Sequence, residues 1–241
     1  MNICIDIGNT QAKISLFKGD TMTEMLNFPV VDATVLNNIF INHPTIHQGI
    51  LSSVRAGDHE LMQFLKSTLK KFIVLDETTP IPIQNLYQTK QTLGKDRLAA
   101  VVGANYLYPQ KNVLVVDAGS AITFDLINSN AEFLGGTISP GLTMRFKALN
   151  HFTSRLPLLD PAEGTPLIGR NTNEAIIAGV QNGLIFETDS YINELNRLYP
   201  GLITLITGGD AKFFDNKLKN AIFVVSNLVL IGLNRILNFN A

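Results

Sequence analysis

The chain has 241 residues, 46% of them hydrophobic and 16% charged, so it can bury a sizeable core in one large or two small domains. A formal net charge of −1, with lysines and arginines scattered along the chain, argues against a nucleic-acid partner. The single cysteine cannot form an internal disulfide, which favours the cytoplasm. We expect neither a secretion signal nor a membrane span, because the apolar runs are short and interrupted.

The first part of the chain predicts an antiparallel meander and then a βαβ unit. Apolar runs separated by turn residues predict three strands, over residues 3–7, 12–17 and 24–28. A strand over residues 49–54 leads into a helix over 58–72, which has leucines at helical spacing. A strand over residues 73–75 follows, which completes the βαβ pattern.

The middle of the chain predicts a long surface connection and then a second round of strands. Residues 78–92 contain two prolines and Tyr87, and long loops of this kind are often functional. A helix rich in alanine and leucine then begins near Asp96 and ends before Pro109. Further strands are predicted over residues 113–116, over 121–127 and up to Phe133.

The last part of the chain predicts a long helix, two strands and a closing helix. Apolar residues recur at helical spacing from Ile176 to Leu195, and strands over residues 202–206 and 222–225 follow. Each half of the chain thus has three antiparallel strands before helices that alternate with strands. We predict an α/β fold of two lobes, over residues 1–109 and 110–241, with a central cleft.

A repeated motif is the most informative feature of this sequence. One apolar strand runs into Asp6 and Gly8, and another runs into Asp117 and Gly119 in the same way, 111 residues further along. This motif suits a phosphate, because the glycine turn exposes backbone N–H groups while the carboxylate holds a cation or its water. The repeat predicts duplicated lobes that face one nucleotide.

In the first copy, the turn offers several donors for phosphate. Gly8 permits a close approach of the backbone, and Asn9 and Thr10 add side-chain donors. Lys13, on the next strand, adds a positive charge. A plain polar hairpin turn is the alternative for so short a motif, but the second copy favours the functional interpretation.

A loop-to-helix junction at Gly94–Arg97 concentrates polar residues. A helix N-terminus favours anions, Asp96 can accept a proton from a hydroxyl, and Arg97 presents a planar fork to a carboxylate or phosphate. The alternative is an N-capping aspartate followed by a solvated arginine. The residues alone leave both interpretations open.

Three further segments have two interpretations each. Three glycines and a proline within residues 135–141 predict a turn that either closes over a ligand or links a sheet to a helix. Gly208 and Gly209, after an apolar strand, suit a nucleotide base or a plain turn. Asn171 begins a capping-box pattern, and Thr172 beside it offers a hydroxyl to a ligand.

Taken in order, these motifs resemble the type III pantothenate kinase family of the actin, Hsp70 and sugar kinase superfamily. The resemblance spans nearly the whole chain, and it implies duplicated actin-like, ribonuclease H-like lobes. The matching segments are DIGNT from Asp6, GKDR from Gly94, DAGSA from Asp117, GGTISPG from Gly135, IGRNTNEA from Ile168 and TGGDA from Thr207.

The resemblance implies ATP-dependent phosphorylation of pantothenate at its primary hydroxyl, which gives 4′-phosphopantothenate in the first step of coenzyme A synthesis. It also implies Mg²⁺, a monovalent cation such as K⁺ or NH₄⁺, and a homodimer whose substrate pocket involves both subunits. A helix-like stretch over residues 142–149 is a candidate for the dimer interface.

By position, the resemblance assigns Asp96 as the catalytic base and Asp117 as the ligand of the monovalent cation. The residues that would bind ATP are Asp6, Ile7, Gly8, Asn9, Thr10, Gln11, Ala12, Lys13 and Ser120. The residues that would bind pantothenate are Tyr87, Gly94, Lys95, Asp96, Arg97 and Thr172. Ser120 stands where the family usually has Thr, so the hydroxyl is kept and a methyl group is lost.

Two other functions fit parts of the same pattern. The superfamily fold includes regulatory relatives that act as transcription-accessory factors. Fold and ATP motifs also do not specify the acceptor, so a kinase for another small hydroxylated substrate is a second alternative. Retention of both Asp96 and Asp117 argues against the regulatory function, because binding alone needs neither a base nor a cation ligand.

Overall fold

The structure, a computed structural model, describes residues 1–8, 11–53 and 59–241. These residues form two compact units. The first unit comprises Met1–Gln110, Asn130–Leu134 and Asn227–Ala241, and the second comprises Lys111–Ser129 and Gly135–Ser226. The predicted lobe boundary after residue 109 stays a prediction.

Strands and helices alternate along the chain, as predicted for an α/β fold. The strands of the described residues are β1 (Asn2–Ile7), β2 (Ala12–Lys18), β3 (Thr21–Phe28), β4 (Gln48–Ser53), β5 (Lys71–Val74), β6 (Gln84–Asn85), β7 (Val113–Ala118), β8 (Ala121–Ile127), β9 (Glu132–Pro140), β10 (Ile203–Thr207) and β11 (Phe223–Val224). The α-helices of the same residues are α1 (Ala33–Asn42), α2 (His59–Thr68), α3 (Lys95–Leu107), α4 (Leu142–His151), α5 (Thr172–Leu198) and α6 (Leu228–Phe239). None of these helices has the length and apolar character needed to cross a membrane.

The sheet of the first unit has the strand order β3-β2-β1-β4-β5. Strands β1, β2 and β3 pair antiparallel in sequence, while β4 pairs parallel with β1 and β5 parallel with β4. The predicted meander and βαβ unit are therefore confirmed. Buried isoleucines and leucines of this sheet form one core with α1 and α2.

The second sheet has the strand order β6-β9-β8-β7-β10-β11, and its part β9-β8-β7-β10-β11 repeats the order of the first sheet. Strands β7 and β8 are antiparallel, and β10 and β11 continue the sheet in parallel from β7. Asp6 and Asp117 occupy the same place, the last but one residue of β1 and of β7, and both strands bury their other residues. The predicted duplication is confirmed in strand order and in the position of the motif.

The C-terminal helix α6 packs in the first unit, against α3 and β1. A Cβ atom on Gly232 would lie 1.8 Å from the carbonyl oxygen of Ala99, so glycine is needed for the two helices to approach so closely. The side chain of Asn2 in β1 donates a buried hydrogen bond of 2.9 Å to Asn234 of α6. These contacts fix α3, whose first turn carries the GKDR motif.

Two predictions about element boundaries are wrong. The helix predicted over residues 58–72 ends at Thr68, and Phe72 lies in β5, because the apolar residues of a short strand continued the helical spacing. Residues 135–140 belong to strand β9 rather than to a turn, and among them only Gly135 has a positive φ, 106°. Gly136 is required for space, since its Cβ atom would lie 2.1 Å from the carbonyl oxygen of Phe124.

Helix α1 was not predicted from the spacing of apolar residues in the sequence. Its residues include three asparagines and several β-branched side chains, which are weak helix formers. The available signal was Asp32, whose carboxylate accepts a hydrogen bond of 2.8 Å from the backbone N–H of Val35 and so caps the helix.

Candidate functional site

The carboxyl group of Asp6 lies where β1 ends in the sheet of the first unit. In register it is paired with Lys13 of β2 and with Ser52 of β4. Burial, and after it the negative charge of Asp96, raise the pKa of Asp6 from 3.8 to about 6. The Ser52 hydroxyl and the Lys13 charge act in the opposite direction. Asp6 thus shares a poorly solvated site with a second carboxyl group.

Asp96 belongs to the first turn of α3, as predicted, and Gly94 is the N-cap of that helix. The Oδ1 atom of Asp96 accepts a hydrogen bond of 2.8 Å from the backbone N–H of Arg97. A Cβ atom on Gly94 would lie 2.5 Å from that oxygen, so the glycine leaves the space that the carboxylate occupies. The interpretation of Asp96 as a simple N-cap is therefore wrong.

Arg97 is buried, with an exposed fraction of 5%, so the interpretation of a solvated arginine is also wrong. Its guanidinium carbon lies 5.5 Å from the ring centre of Tyr87. The Tyr87 ring stacks on Phe133, with 6.1 Å between ring centres and 6° between ring planes. The neighbouring Lys95 forms an ion pair of 3.4 Å with Glu77. A guanidinium held on an aromatic ring is a rigid element for recognising anions.

The turn after β1 connects paired residues Ile7 and Ala12 through residues 8–11. The backbone N–H of Gly8 donates a hydrogen bond of 3.0 Å to the carbonyl oxygen of Gln11. Ile7 and Ala12 are buried in the core, so a ligand would meet them through their backbone. Asn9 and Thr10, which complete the predicted phosphate turn, lie outside the described residues.

The equivalent turn of the second unit is one residue shorter and comprises residues 119–121. The backbone N–H of Gly119 donates a hydrogen bond of 3.1 Å to the carbonyl oxygen of Ala121. Ser120 is exposed at the tip of this turn. Asp117 is paired in register with Thr207 of β10, as Asp6 is with Ser52 in the first unit.

Two glycine-rich segments pack directly on the Asp117 turn. Gly208 has a positive φ of 95°, and its Cβ atom would lie 2.5 Å from the Oδ1 atom of Asp117. The backbone N–H of Asp210 donates a hydrogen bond of 2.9 Å to the carbonyl oxygen of Ala118, and burial raises the pKa of Asp210. The TGGDA segment therefore packs against the second site. Its sequence alone was equally compatible with a plain turn.

The end of β9 contacts the same turn from another side. A Cβ atom on Gly141 would lie 2.1 Å from the carbonyl oxygen of Gly119, and the Gly141 N–H donates a hydrogen bond of 3.1 Å to the carbonyl oxygen of Ser120. The GGTISPG segment thus forms a wall of the site around Asp117. Gly141 and Asp210 are site residues that the motif assignment did not include, although both lie within motifs that the sequence analysis recognised.

Thr172 is the first residue of α5 and is exposed. The predicted cap is confirmed, because the Asn171 side chain accepts a hydrogen bond of 3.0 Å from the backbone N–H of Glu174. Glu174 in turn accepts a hydrogen bond of 2.7 Å from the backbone N–H of Arg170. These bonds hold the backbone on both sides of Thr172 and leave its hydroxyl available.

Within residues 1–8, 11–53 and 59–241, no group of three or more His, Cys, Asp and Glu side chains could hold a metal ion by itself. The carboxyl groups of the two sites instead occur as the pair Asp6 and Asp96 in the first unit and as Asp117 and Asp210 in the second. Such sparse carboxylate sets suit a cation that takes most of its ligands from phosphate oxygens, water or backbone carbonyls.

Residues 2–194 match the family model described as type III pantothenate kinase. A protein named type III pantothenate kinase from Phocaeicola vulgatus is 44% identical over 240 residues, which cover 100% of this chain and 99% of that protein. A protein of the same name from Bacteroides fragilis is 43% identical, with 100% of this chain and 98% of that protein covered.

Solved structures resemble the whole chain. A conserved candidate Baf family transcriptional activator from Campylobacter jejuni has a TM-score of 0.64 and 26% identity, covering 99% of this chain and 98% of that one. A glucokinase from an Antarctic psychrotroph has a TM-score of 0.57 and 14% identity, covering 100% of this chain and 99% of that one. The glucokinase shows the fold alone, and it confirms the predicted class of duplicated, actin-like lobes.

The raised pKa of Asp6 predicts that Asp6→Asn stabilises the protein without nucleotide or metal. Below pH 4 the carboxyl group is protonated in both the folded and the unfolded chain. Between pH 4 and 6 only the unfolded chain releases the proton, so the wild type loses stability as pH rises. We expect the free energy of unfolding of the variant to be higher than that of the wild type by about 1 to 3 kcal/mol at pH 8. At pH 4 the two free energies should be nearly equal.

Chemical denaturation in EDTA at both pH values measures this difference. Asp76→Asn is a matched control with the opposite sign, because hydrogen bonds from Thr78 and Thr79 lower the pKa of Asp76. That variant should lose stability at pH 8. An Asp6→Asn variant that is less stable than the wild type at pH 8 would contradict the prediction.

Proposed function

The chain belongs to the type III pantothenate kinase family, and we propose that the site around Asp6 and Asp96 phosphorylates pantothenate with ATP, in the first step of coenzyme A synthesis. The observation that carries this proposal is the pair of carboxyl groups in the first unit, where burial, and after it the charge of Asp96, raise the pKa of Asp6. Two nearby carboxyl groups in a poorly solvated site are typical of catalytic centres.

In this mechanism Asp96 is the general base. Its carboxylate accepts the proton of the primary hydroxyl of pantothenate while the hydroxyl oxygen bonds to the γ-phosphorus of ATP. The bond from that phosphorus to the β-phosphate oxygen breaks, which gives 4′-phosphopantothenate and ADP. Asp96 suits this role because it lies in the first turn of α3, where its Oδ1 atom accepts a hydrogen bond from the Arg97 N–H.

The segment from Asp6 to Lys13 is proposed to bind the ATP phosphates. Backbone N–H groups of a glycine turn and the Lys13 ammonium group attract phosphate oxygens, and phosphoryl transfer depends mainly on positioning and charge neutralisation. Ser120 of the second unit offers an exposed hydroxyl for a further contact with ATP. The burial of Ile7 and Ala12 supports this by fixing both ends of the turn.

Pantothenate is a carboxylate with hydroxyl groups at its other end, so it needs a cation and polar partners. The buried guanidinium of Arg97 on the Tyr87 ring is our candidate for recognising its polar groups. Lys95 adds a second positive charge near the same helix terminus. Gly94 leaves room for the Asp96 carboxylate, and Thr172 is proposed to contribute a hydroxyl.

Two cations complete the proposal. Asp6 and the ATP phosphates would hold Mg²⁺, which neutralises charge on the transferred group. Asp117 would hold K⁺ or NH₄⁺. A carboxylate oxygen is a ligand that hard cations prefer, and no side chain of Gly208 stands against the Asp117 Oδ1 atom.

We further propose that the enzyme is a cytoplasmic homodimer. Large exposed apolar side chains of the second unit concentrate between residues 138 and 186. They are Ile138, Met144, Phe152, Leu158, Leu167, Ile168 and Phe186. Such a concentration favours a protein interface, and it includes part of the predicted interface stretch over residues 142–149.

A regulatory function is the second candidate, favoured by the 26% identity to the candidate transcriptional activator from Campylobacter jejuni. The carboxyl pair argues for catalysis, because a binding protein gains nothing from repulsion between Asp6 and Asp96. A kinase for another small alcohol is the remaining alternative, which a comparison of acceptor substrates tests directly.

Asp96→Asn is expected to lower turnover with pantothenate by about 10² to 10⁴-fold, because general-base help is lost. Binding of ATP and pantothenate should change little, since the amide keeps the size and the acceptor oxygen. ADP release is measured with a coupled assay for the variant and for the wild type. The wild type, assayed in potassium and in sodium, provides the reference rate. Near-normal turnover of the variant would remove Asp96 as the base, and no turnover of the wild type would favour the regulatory function.

Asp117→Ala is expected to abolish the activation of turnover by potassium, because the variant lacks the proposed ligand. The measurement is the ratio of rates in potassium and sodium at equal ionic strength, compared with the wild type. Asp215→Ala, which removes an exposed carboxylate from the same unit, is the control. An unchanged ratio in the Asp117 variant would contradict the cation assignment.

Sedimentation of the full chain tests the proposed dimer. We expect a dimer at assay concentration, and Phe152→Ser, which changes an apolar side chain with an exposed fraction of 82%, should shift it toward monomer. Phe239→Ser, in the first unit, is the control for loss of an exposed aromatic ring. A monomeric wild type would contradict a pocket that is shared between subunits.

A further inference from the structure

We propose that Arg145 is a positioning residue that holds the Asp117 turn in its ligand-binding form. This inference rests on the proposed function, in which Ser120 contacts ATP and Asp117 holds the monovalent cation. Arg145 has no role in that mechanism and touches none of the reacting groups assigned above. Its contacts nevertheless connect two helices to the segment that forms a wall of the second site.

The guanidinium group of Arg145, on α4, makes three contacts with two other elements, β9 and α5. Its Nε–H donates a hydrogen bond of 2.8 Å to the carbonyl oxygen of Pro140. Its Nη2 group donates one of 3.1 Å to the Ser139 hydroxyl and also forms an ion pair with Glu187 of α5. One side chain therefore fastens the last residues of β9 to α4 and α5.

Ser139 and Pro140, which Arg145 contacts, precede the residue that packs on the ligand-binding turn. Gly141 follows Pro140, and its backbone N–H donates a hydrogen bond of 3.1 Å to the carbonyl oxygen of Ser120. The contact is tight, because a Cβ atom on Gly141 would lie 2.6 Å from that oxygen. Since the proline ring also restricts the backbone, a shift of Ser139 and Pro140 would be passed to the turn.

The solvent exposure of the ion pair suits a positioning role. The side chains of Arg145 and Glu187 have exposed fractions of 20% and 23%, so water screens their attraction only in part. The ion pair between Arg197 and Glu194, also on α5, has exposed fractions of 74% and 66%. The exposed pair should contribute little, and it provides a matched control in the same unit.

Arginine is specifically required by this arrangement. The planar guanidinium group presents Nε–H and Nη2 donors in fixed directions, so it can bond to Pro140, Ser139 and Glu187 at once. A lysine at this position keeps the positive charge but has one terminal nitrogen. Its single nitrogen lacks the two separate donor groups, Nε–H and Nη2, that bond to Pro140 and to Ser139 and Glu187.

A purely structural role, in which the ion pair only joins α4 to α5, is the competing explanation. It depends on the opposite charges of the pair and not on the bonds to β9. The swapped variant Arg145→Glu/Glu187→Arg keeps opposite charges between the helices but loses the donors to Pro140 and Ser139. The two explanations therefore predict different behaviour for the swap.

The experiment compares Arg145→Lys, the charge swap and Ser139→Ala with Arg197→Lys and the wild type. Equilibrium binding of ADP is measured by titration calorimetry, and steady-state kinetics give KM for ATP, KM for pantothenate and the half-activating potassium concentration. Chemical denaturation gives the stability of each variant. Ser139→Ala removes one hydrogen bond without a change of charge, so it remains informative if the swap fails to fold.

We expect Arg145→Lys to weaken ADP binding and to raise KM for ATP and the half-activating potassium concentration by about 3- to 10-fold, the range for loss of one or two hydrogen bonds. KM for pantothenate should change by less than about 2-fold, because the Arg97 region belongs to the other unit and Thr172, at the start of α5, is 15 positions from Glu187. Ser139→Ala should show a smaller change of the same kind, and Arg197→Lys none. The swap should have a stability close to that of the wild type, but it should bind ADP as weakly as Arg145→Lys does.

Normal ADP binding and normal potassium response in Arg145→Lys and Ser139→Ala would overturn the inference. Wild-type stability together with wild-type ADP affinity in the swap would also overturn the inference, in favour of simple helix packing. ADP binding separates this result from a failure of the proposed function. If the wild type binds ADP but phosphorylates no pantothenate, the function fails while the binding comparison still decides the role of Arg145.

Discussion

Burial of the Asp6 carboxyl group at the end of β1, near the carboxyl group of Asp96, is the constraint on which the site of the first unit depends. Burial, and after it the negative charge of Asp96, raise the pKa of Asp6 to about 6. The raised pKa predicts that the charged form of Asp6 costs stability in the protein without ligand. The close contact of α3 with α6, at Gly232, fixes the helix whose first turn carries Asp96.

The second unit repeats the frame of the first with different chemistry. Asp6 and Asp117 share a strand position, but a longer turn and Lys13 follow Asp6, whereas a shorter turn and Thr123 follow Asp117. A positive charge near a long turn suits phosphate, and a carboxylate among close backbone carbonyls suits a cation. Duplication therefore supplied the geometry of both sites, and a few side chains distinguish their roles.

Prediction from the sequence succeeded best where the signal was local. Alternating apolar runs predicted both sets of strands, and the capping pattern at Asn171 predicted the start of α5. It failed where contacts between distant segments decide the conformation. Gly136 is a strand residue because the backbone of β8 approaches it closely, and a glycine-rich segment by itself is equally compatible with a turn.

By itself, the sequence determined the family, the repeated Asp motif and the elements that carry it, because these depend on residue types at short spacing. Only the tertiary structure decided that Asp96 lies beside Asp6, 90 positions away in the chain, and that Arg97 is buried on Tyr87. It also brought the glycines of TGGDA and GGTISPG against the Asp117 turn. The reason is physical: pKa values and close backbone contacts depend on distance in space, which spacing along the chain does not report.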